Sequence, residues 1–562
     1  VTDANGCTTS AEIEITQPDQ LTVPDAGEDQ ILGCGFGTAA LDANTPTSGV
    51  GRWVVVSPEN STVLPDQPDN PRSTFSAPEG TYRLQWIISH EDGSCEEFDE
   101  VDITFAGSCE RLDFDGMDDY IIVGDHYDLS ETFSLEAWIK PESDSGTRTI
   151  LSKRNWRDSN QGGFELLINN GAPTFRWNGS SISTSHKIGI DRWYHVAVVF
   201  SKTNVTLYVD GIELSTGTPG TPPIDNSHPF LIGAVSDAQK PEHPTSFFQG
   251  WIEEVKIWNT ALTIDQLRFM MNQRIEQNNS FVQGEILKEN VPGDLLWSNL
   301  EGYYRLFAEE NLIVDGTTED LATNREDGYL KNITSWQVNS APLPYVSEWD
   351  EGDWNNRKTW DLNYNEAANS KWWTHPNDKG INGKSIDWNI ASVYHDIASG
   401  SRDITLLGLL QEAGTLDMEG TIQKFIAGDP PTSEPGTGNG LTVTHYLKIE
   451  GKIDLNGESQ LIQPEGSILV GSGTLERDQQ GTASSYNYNY WTSPVSNDTI
   501  PNSGYTIQEV MKDGTSTEKY EQIQFNYQYH FADGAKTQPI KISSYWLNKF
   551  FGEYGKYSQW RH

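Results

Sequence analysis

Short alternations of apolar and polar residues dominate the chain. Tyr82, Leu84, Trp86 and Ile88 fall on one face of a strand, as do Val101, Ile103 and Phe105. The same period of two recurs in Phe133–Leu135–Ala137–Ile139, in Tyr194–Val196–Val198–Phe200 and in Val205–Leu207–Val209. Asp210-Gly211 supplies the two-residue turn of a hairpin. Long 3.6-period stretches are nearly absent. The best helix candidate is Thr263–Glu276, TIDQLRFMMNQRIE, opened by Thr263 with Gln266 three residues on, in the manner of a capping box. Further along come ITLLGLL, GTLDME, LTVTHYLKIEG, KIDLNG and SQLIQPEGSILVGSGTLERD, runs that end in or near Gly or Asn. One strand, one turn and one rung at a time is how a parallel β-solenoid reads, although no strict repeat length is visible. The pattern predicts an all-β, multidomain protein.

Composition narrows the picture. A chain of 562 residues is too long for one core, and three to five domains are expected. The net charge of −43 repels nucleic acid and anionic lipid headgroups. An aromatic content of 11% sets the chain apart from disordered acidic tails. No apolar run is long enough to span a membrane. The four cysteines, Cys7, Cys34, Cys95 and Cys109, form no CxxC or metal-type cluster, so disulfides in an oxidising compartment are expected rather than zinc. The chain opens inside a strand pattern and stops after YSQWRH, which reads as a fragment whose export signals lie elsewhere.

Five segments follow from the wording. VTDANGC…ITQP, residues 1–18, resembles the end of the SprB-type repeat of giant surface proteins of gliding Bacteroidetes. Residues 19–107, with PDAGEDQILGCG, GRWVVVSPENS and GTYRLQWIISHEDGSCEEFDEVDITF, resemble the Ig-like or PKD-like modules of such proteins. That resemblance implies a mechanical spacer and a Cys34–Cys95 bridge, with Trp53 and Trp86 beside it. The bridge would close a loop of about 60 residues, worth roughly 4 kcal/mol in the chain-entropy model. In residues 108–344, LDFDGMDDYIIV, FSLEAWIKP, RTILSKR, GGFELLIN, WYHVAVVFSKTNVTLYVDGIEL and FQGWIEEVKIWNTALT succeed one another. This order resembles the laminin-G-like, concanavalin-A-like jelly roll, with the polar stretch Arg274–Asn299 as an excursion of that domain. Residues 345–478 read as the short solenoid, with Gly428–Gly440 as an exposed loop. Residues 479–562, rich in Tyr and Trp, resemble the segment before the sorting domain of Bacteroidetes secreted proteins, as a truncated β domain.

Three chemistries are open to this sequence. Asp113, Asp115, Asp118 and Asp119 crowd the first jelly-roll strand and its turn, and Glu253 and Glu254 sit in GWIEEVKIW. In the family that turn and that strand meet at one edge, which implies a Ca²⁺ site built from Asp115, Asp118, Glu253 and Glu254; this chain carries Glu253 where the family most often has Asp. Hard oxygen ligands suit calcium. Arg154, Trp156, Arg176 and Trp177 are the candidate ligand-binding residues, Trp by stacking and Arg by its fork of donors. An enzyme is not expected. The paired-carboxylate strand of jelly-roll glucanases is missing, and no GxSxG, HExxH or Cys–His signature occurs. Asp498-Thr499-Ile500 matches a short Bacteroidetes O-glycosylation pattern.

Together the segments resemble the C-terminal part of a SprB-class adhesin. The resemblance implies export by the type IX secretion system, anchorage at the outer surface and contact with surface glycans or proteins in attachment or gliding. The rival expectation is a set of non-catalytic modules that hold substrate for a secreted polysaccharide-processing enzyme.

Overall fold

The computed structural model describes residues 4–8, residues 20–481 with short interruptions, and isolated stretches between 507 and 561; the longest interruptions are 310–315 and 361–372. The expected repeat end at 1–18, the glycosylation motif and most of the aromatic-rich segment lie outside the described residues. The described chain is almost entirely β, as its alternation predicts. It divides into two compact units: 1–263 with 279–281 and 295–341, and 264–278 with 282–294 and 342–562.

Within the first unit, residues 20–105 form a small sandwich. Its larger sheet runs in the order Gln30–Leu32, Glu96–Phe105, Gly80–Ser89, Val50–Ser57, and a second pair joins Thr38–Ala40 to Thr74–Ser76. Trp53 and Trp86 lie directly across from one another and pack with ring centroids 5.1 Å apart. Gly51 makes room for this, since a Cβ there would sit 2.2 Å from the Trp86 ring. The implied Cys34–Cys95 bridge is not seen: Cys34 lies outside the described residues, and Cys95 is an exposed free thiol at the start of the strand that follows.

The larger part of this unit is a two-sheet antiparallel sandwich. One sheet runs Ile212–Gly217, Val205–Val209, Tyr194–Phe200, Phe133–Pro141, Gln249–Trp258, Leu300–Tyr304, with Asp113–Asp115 also on the Gln249–Trp258 strand. The other runs Ser180–Ser183, Ala172–Trp177, Phe164–Asn169, Thr147–Lys153, Phe230–Ile232, Tyr120–Gly124, Gly328–Lys331, Thr317–Thr318. Phe133, Phe164, Phe175 and Phe200 fill the space between the sheets, Phe133 stacking on Phe200 at 4.9 Å. The alternation of the Phe133–Pro141 strand therefore points the predicted residues inward. Its other face, however, is buried as well. Glu136 accepts from Trp258 Nε1 and meets His195 Nε2, both at 3.0 Å, and none of the three is exposed. The outer face of this sheet offers no open surface at Glu136, Trp138 or Lys140.

The second unit is a parallel solenoid. One sheet stacks Tyr345–Val346, Ile390–Val393, Ile404–Gln411, Gly440–Ile449 and Gln460–Ile462, with Ile468–Val470 on the same neighbour. The other stacks Gly352–Asp353, Ile397–Ala398, Thr415–Met418, Lys452–Leu455 and Thr474–Arg477. Leu406, Leu409, Leu416, Val443, Leu447 and Ile453 point inward. Equivalent positions are Ser392, Leu410, Lys448 and Val470, so successive rungs are 18, 38 and 22 residues apart. The long step holds a hairpin, Lys424–Ile426 with Thr432–Glu434, placed partly where an exposed loop was expected. That insertion is why no repeat length shows in the sequence.

The predicted helix is shorter than expected, Ile264–Met271, and Ile275–Asn278 is a strand. The helix and most of the polar stretch after it belong to the second unit, not to the jelly roll. Contacts explain this correction. Phe269 meets His445 edge to face at 5.9 Å, Arg268 lies 3.6 Å over the Trp388 ring, and Asn389 donates to Asn272 at 2.8 Å. Gln273 Oε1 accepts from the backbone of Leu287 at 2.9 Å.

Candidate functional site

Two clusters of the jelly roll gather some of the predicted site residues. The first is the acidic turn after Asp113–Asp115. Gly116 takes φ 78, and a Cβ there would meet Gln249 at 2.7 Å. The turn is tied by its own carboxylates: Asp115 Oδ1 accepts from the Met117 backbone at 2.7 Å, and Asp119 Oδ2 accepts from the Asp115 backbone at 2.8 Å. Carboxylate oxygens of Asp115, Asp118 and Asp119 come within 4.8 Å of one another. Ligands about 2.3–2.6 Å from a common Ca²⁺ satisfy that spacing, so the three fit a hard cation. Burial pushes the Asp119 carboxyl up to about 7, aided by the neighbouring charges of Asp115, Asp118 and Asp113.

Glu253 and Glu254 do not join this cluster. Asp115 pairs with Gln249. At about 3.3 Å per residue, Glu253 is therefore roughly 13 Å further along the strand. There it accepts from the Ala341 backbone at 3.1 Å and lies 3.6 Å from Arg111. Glu254, at φ 53 in a bulge, accepts from the Tyr303 hydroxyl at 2.6 Å. The structure thus brings Asp115 and Asp118 together with Asp119 and places Glu253 and Glu254 apart from them.

The second cluster lies on the sheet that contains Thr147–Lys153. Glu165 alternates with the inward Phe164 and Leu166, so it faces away from the core, and it is 2% exposed. Thr149 Oγ1 donates to it at 2.8 Å. Arg176, directly across the ladder, approaches it at 3.5 Å, and Arg154 at 3.9 Å. Two of the predicted ligand-binding arginines thus converge on one buried carboxylate. Trp177 does not accompany them. One residue on from Arg176, it turns to the opposite face, stacks on Phe175 at 5.5 Å and donates Nε1 to the Pro219 carbonyl at 2.7 Å. It is a core residue, which corrects the expectation.

Beyond Arg154 the chain forms a short rim that turns at Trp156 and Arg157. Asn155 bridges Ser236 and is buried, while Trp156 points out, 45% exposed. The rim is fixed on both sides. Trp156 donates its backbone N–H to Ser236 at 3.0 Å, and the Arg157 guanidinium lies 4.7 Å from the Trp156 ring centroid. Arg157 also donates to both oxygens of Asp237 at 2.7 Å each. These bonds hold the Asp237 carboxyl well below the ordinary carboxylate range. Glu165, Arg157 and Asp237 escaped sequence reasoning. An acid in the middle of FELLIN was a usable signal for Glu165. Nothing local links Arg157 to a residue 80 positions away.

An antiparallel two-sheet sandwich with a closed core is a jelly-roll architecture. Residues 115–268 match the family model of the concanavalin A-like lectin/glucanases superfamily, so this segment is a concanavalin-A-like domain. Among solved structures, the chain is similar to a candidate carbohydrate-binding protein of Bacteroides ovatus, at 16% identity over 57% of this chain and 99% of that one, TM-score 0.30. It is also similar to the CBM40 of the Ruminococcus gnavus IT-sialidase, at 16% identity over 28% and 94%, TM-score 0.25. A third is domains LG4–5 of the mouse laminin alpha1 chain, at 14% identity over 37% and 56%, TM-score 0.23. No curated protein matches the chain. No helix among the described residues is long and apolar enough to cross a membrane.

Proposed function

We propose that this chain is part of a bacterial cell-surface adhesin in which the jelly roll touches a surface glycan or glycoprotein through the Trp156 rim. The supporting observation is the fixed, exposed Trp156. A ring packed against the Arg157 guanidinium, on a backbone tied to Ser236, loses little freedom when a sugar face stacks on it, which favours binding over a mobile surface aromatic. Trp156 is exposed, whereas the outer face of the opposite sheet is closed at Glu136, Trp138 and Lys140. In this reading Asp115, Asp118 and Asp119 hold Ca²⁺ and brace the first strand, while the Ig-like sandwich and the solenoid give reach. Export by the type IX secretion system and outer-surface anchorage belong to the same proposal, and rest on the resemblance of the segments alone.

The test is a glycan array probed with the full chain, with Trp156→Ala, and with a calcium chelator present. Binding by the parent chain that Trp156→Ala removes is the expected result. An array on which the parent binds nothing, with or without calcium, overturns the reading.

A further inference from the structure

We infer that the seat of the Ile264–Met271 helix on the solenoid is an acid-sensitive latch with His445 as its sensor: the helix is held at neutral pH and loosens in acid. This is independent of the glycan-contact reading. It starts from one hydroxyl. Thr444 Oγ1 lies 3.2 Å from the Leu406 carbonyl and 3.0 Å from His445 Nδ1. A carbonyl only accepts and a hydroxyl carries one hydrogen, so that hydrogen goes to Leu406. Nδ1 must then supply the N–H that joins it to Oγ1. In the neutral ring this leaves Nε2 a bare acceptor, with no hydrogen-bond or ion-pair partner among the described residues.

A bulge puts the ring where the helix lands. Leu406 pairs with Val443 and Gly408 with Tyr446, so Thr444 and His445 together oppose Leu407. Phe269 closes over the ring edge to face, with centroids 5.9 Å apart. Few charges surround it. The helix brings the Asp265 carboxylate, one turn before Phe269, while Arg268 lies 3.6 Å over the Trp388 ring. Ile404–Gln411 carries no ionisable residue. On Gly440–Ile449, Tyr446 is titratable and Lys448 is held by Glu412 at 2.9 Å. The segment 282–294, which sets Leu287 against Gly408, brings Glu285, Lys288 and Glu289, and Lys288 pairs with Glu276 at 2.7 Å. Burial makes the His445 ring harder to protonate than an ordinary histidine, and the Asp265 charge opposes this more weakly. A proton on Nε2 therefore has to be hydrated at the contact between helix and sheet. With the latch open the ring titrates near its ordinary value of about 6.5. The closed latch binds the proton less well, so the seat is firm above about pH 6.5 and weakens as pH falls below it.

The experiment is hydrogen exchange on the full chain at about pH 7.5 and about pH 5, corrected for intrinsic exchange and referred to the Phe133–Pro141 strand. Protection of the Ile264–Met271 amides should fall about threefold or more in acid relative to that strand. His445→Phe keeps a ring and removes the proton, and should erase the acid loss. Asp265→Asn removes the one charge that favours the imidazolium, and should enlarge it. That direction separates the ring from titrating carboxylates, whose removal would shrink the loss. Melting temperatures at pH 7.5 report the folding of each variant, and should His445→Phe melt early, the Asp265→Asn arm decides. Equal helix protection at the two pH values overturns the latch. So does an acid loss that survives in a folded His445→Phe, or one that disappears in Asp265→Asn.

Discussion

Arg157 and Asp237 meet in a two-pronged ion pair, Nε to Oδ1 and Nη2 to Oδ2, each 2.7 Å long. The pair fixes the guanidinium beneath the Trp156 ring. Its energetic weight as a partly exposed pair is small. Its value is orientation. Asp237→Asn should leave the melting temperature nearly unchanged yet weaken binding of an array-positive glycan about three- to tenfold, because the ring regains rotamer freedom. Full affinity in that variant would show that the pair does not order the rim.

Trp156 and Trp177 make a sharper contrast. Trp177→Ala empties a core position among Phe175 and Phe200 and should cost about 3–5 kcal/mol. Trp156→Ala should cost under about 0.5 kcal/mol and abolish glycan binding. Denaturant unfolding of the two variants checks both, and equal destabilisation would contradict the opposite placements of these rings.

The acidic turn makes a pH-dependent prediction. Asp119 is pushed up to about 7 in the fold, above its ordinary value. A raised carboxyl contributes stability that is fully present below its unfolded pKa, and this is lost as pH rises towards 7. A cation reverses the sense by competing with the proton. Calcium should therefore raise the melting temperature at pH 8 and have little effect at pH 5. Asp119→Asn should remove the calcium effect. A calcium shift equal at both pH values, or preserved in Asp119→Asn, would remove this turn from consideration as the cation site.

Membership of the Ile264–Met271 helix in the second unit can be read by hydrogen exchange. Phe269→Ala should cost about 3–5 kcal/mol locally and speed exchange in Ile404–Gln411 and Gly440–Ile449. The Phe133–Pro141 strand should exchange as before. Faster exchange confined to the jelly roll would assign the helix there.

Cys95 is exposed and free. A maleimide should label it in the native, unreduced protein. Labelling that appears only after reduction would restore the bridge to Cys34.

Much of the architecture was legible because one face of each strand is buried. Tyr82, Leu84 and Trp86, or Phe133 and Leu135, announce themselves through period two. The acidic turn was legible for the same local reason, being a run of five residues. What stayed hidden depends on distant partners. Glu253 and Glu254 read as calcium ligands until the strand register placed them beside Arg111 and Tyr303. Trp177 could not be told from Trp156 without knowing which residue began the alternation. The helix was visible, but its apolar face carries no mark of the unit that buries it.

The winding of the chain between its two units also limits how they can be separated. The polypeptide leaves the first unit after Thr263, comes back for Asn279–Phe281, leaves again, and returns at Leu295 to lay down the Leu300–Tyr304 strand. Neither half is one uninterrupted run, so no single cut of the gene yields either one whole.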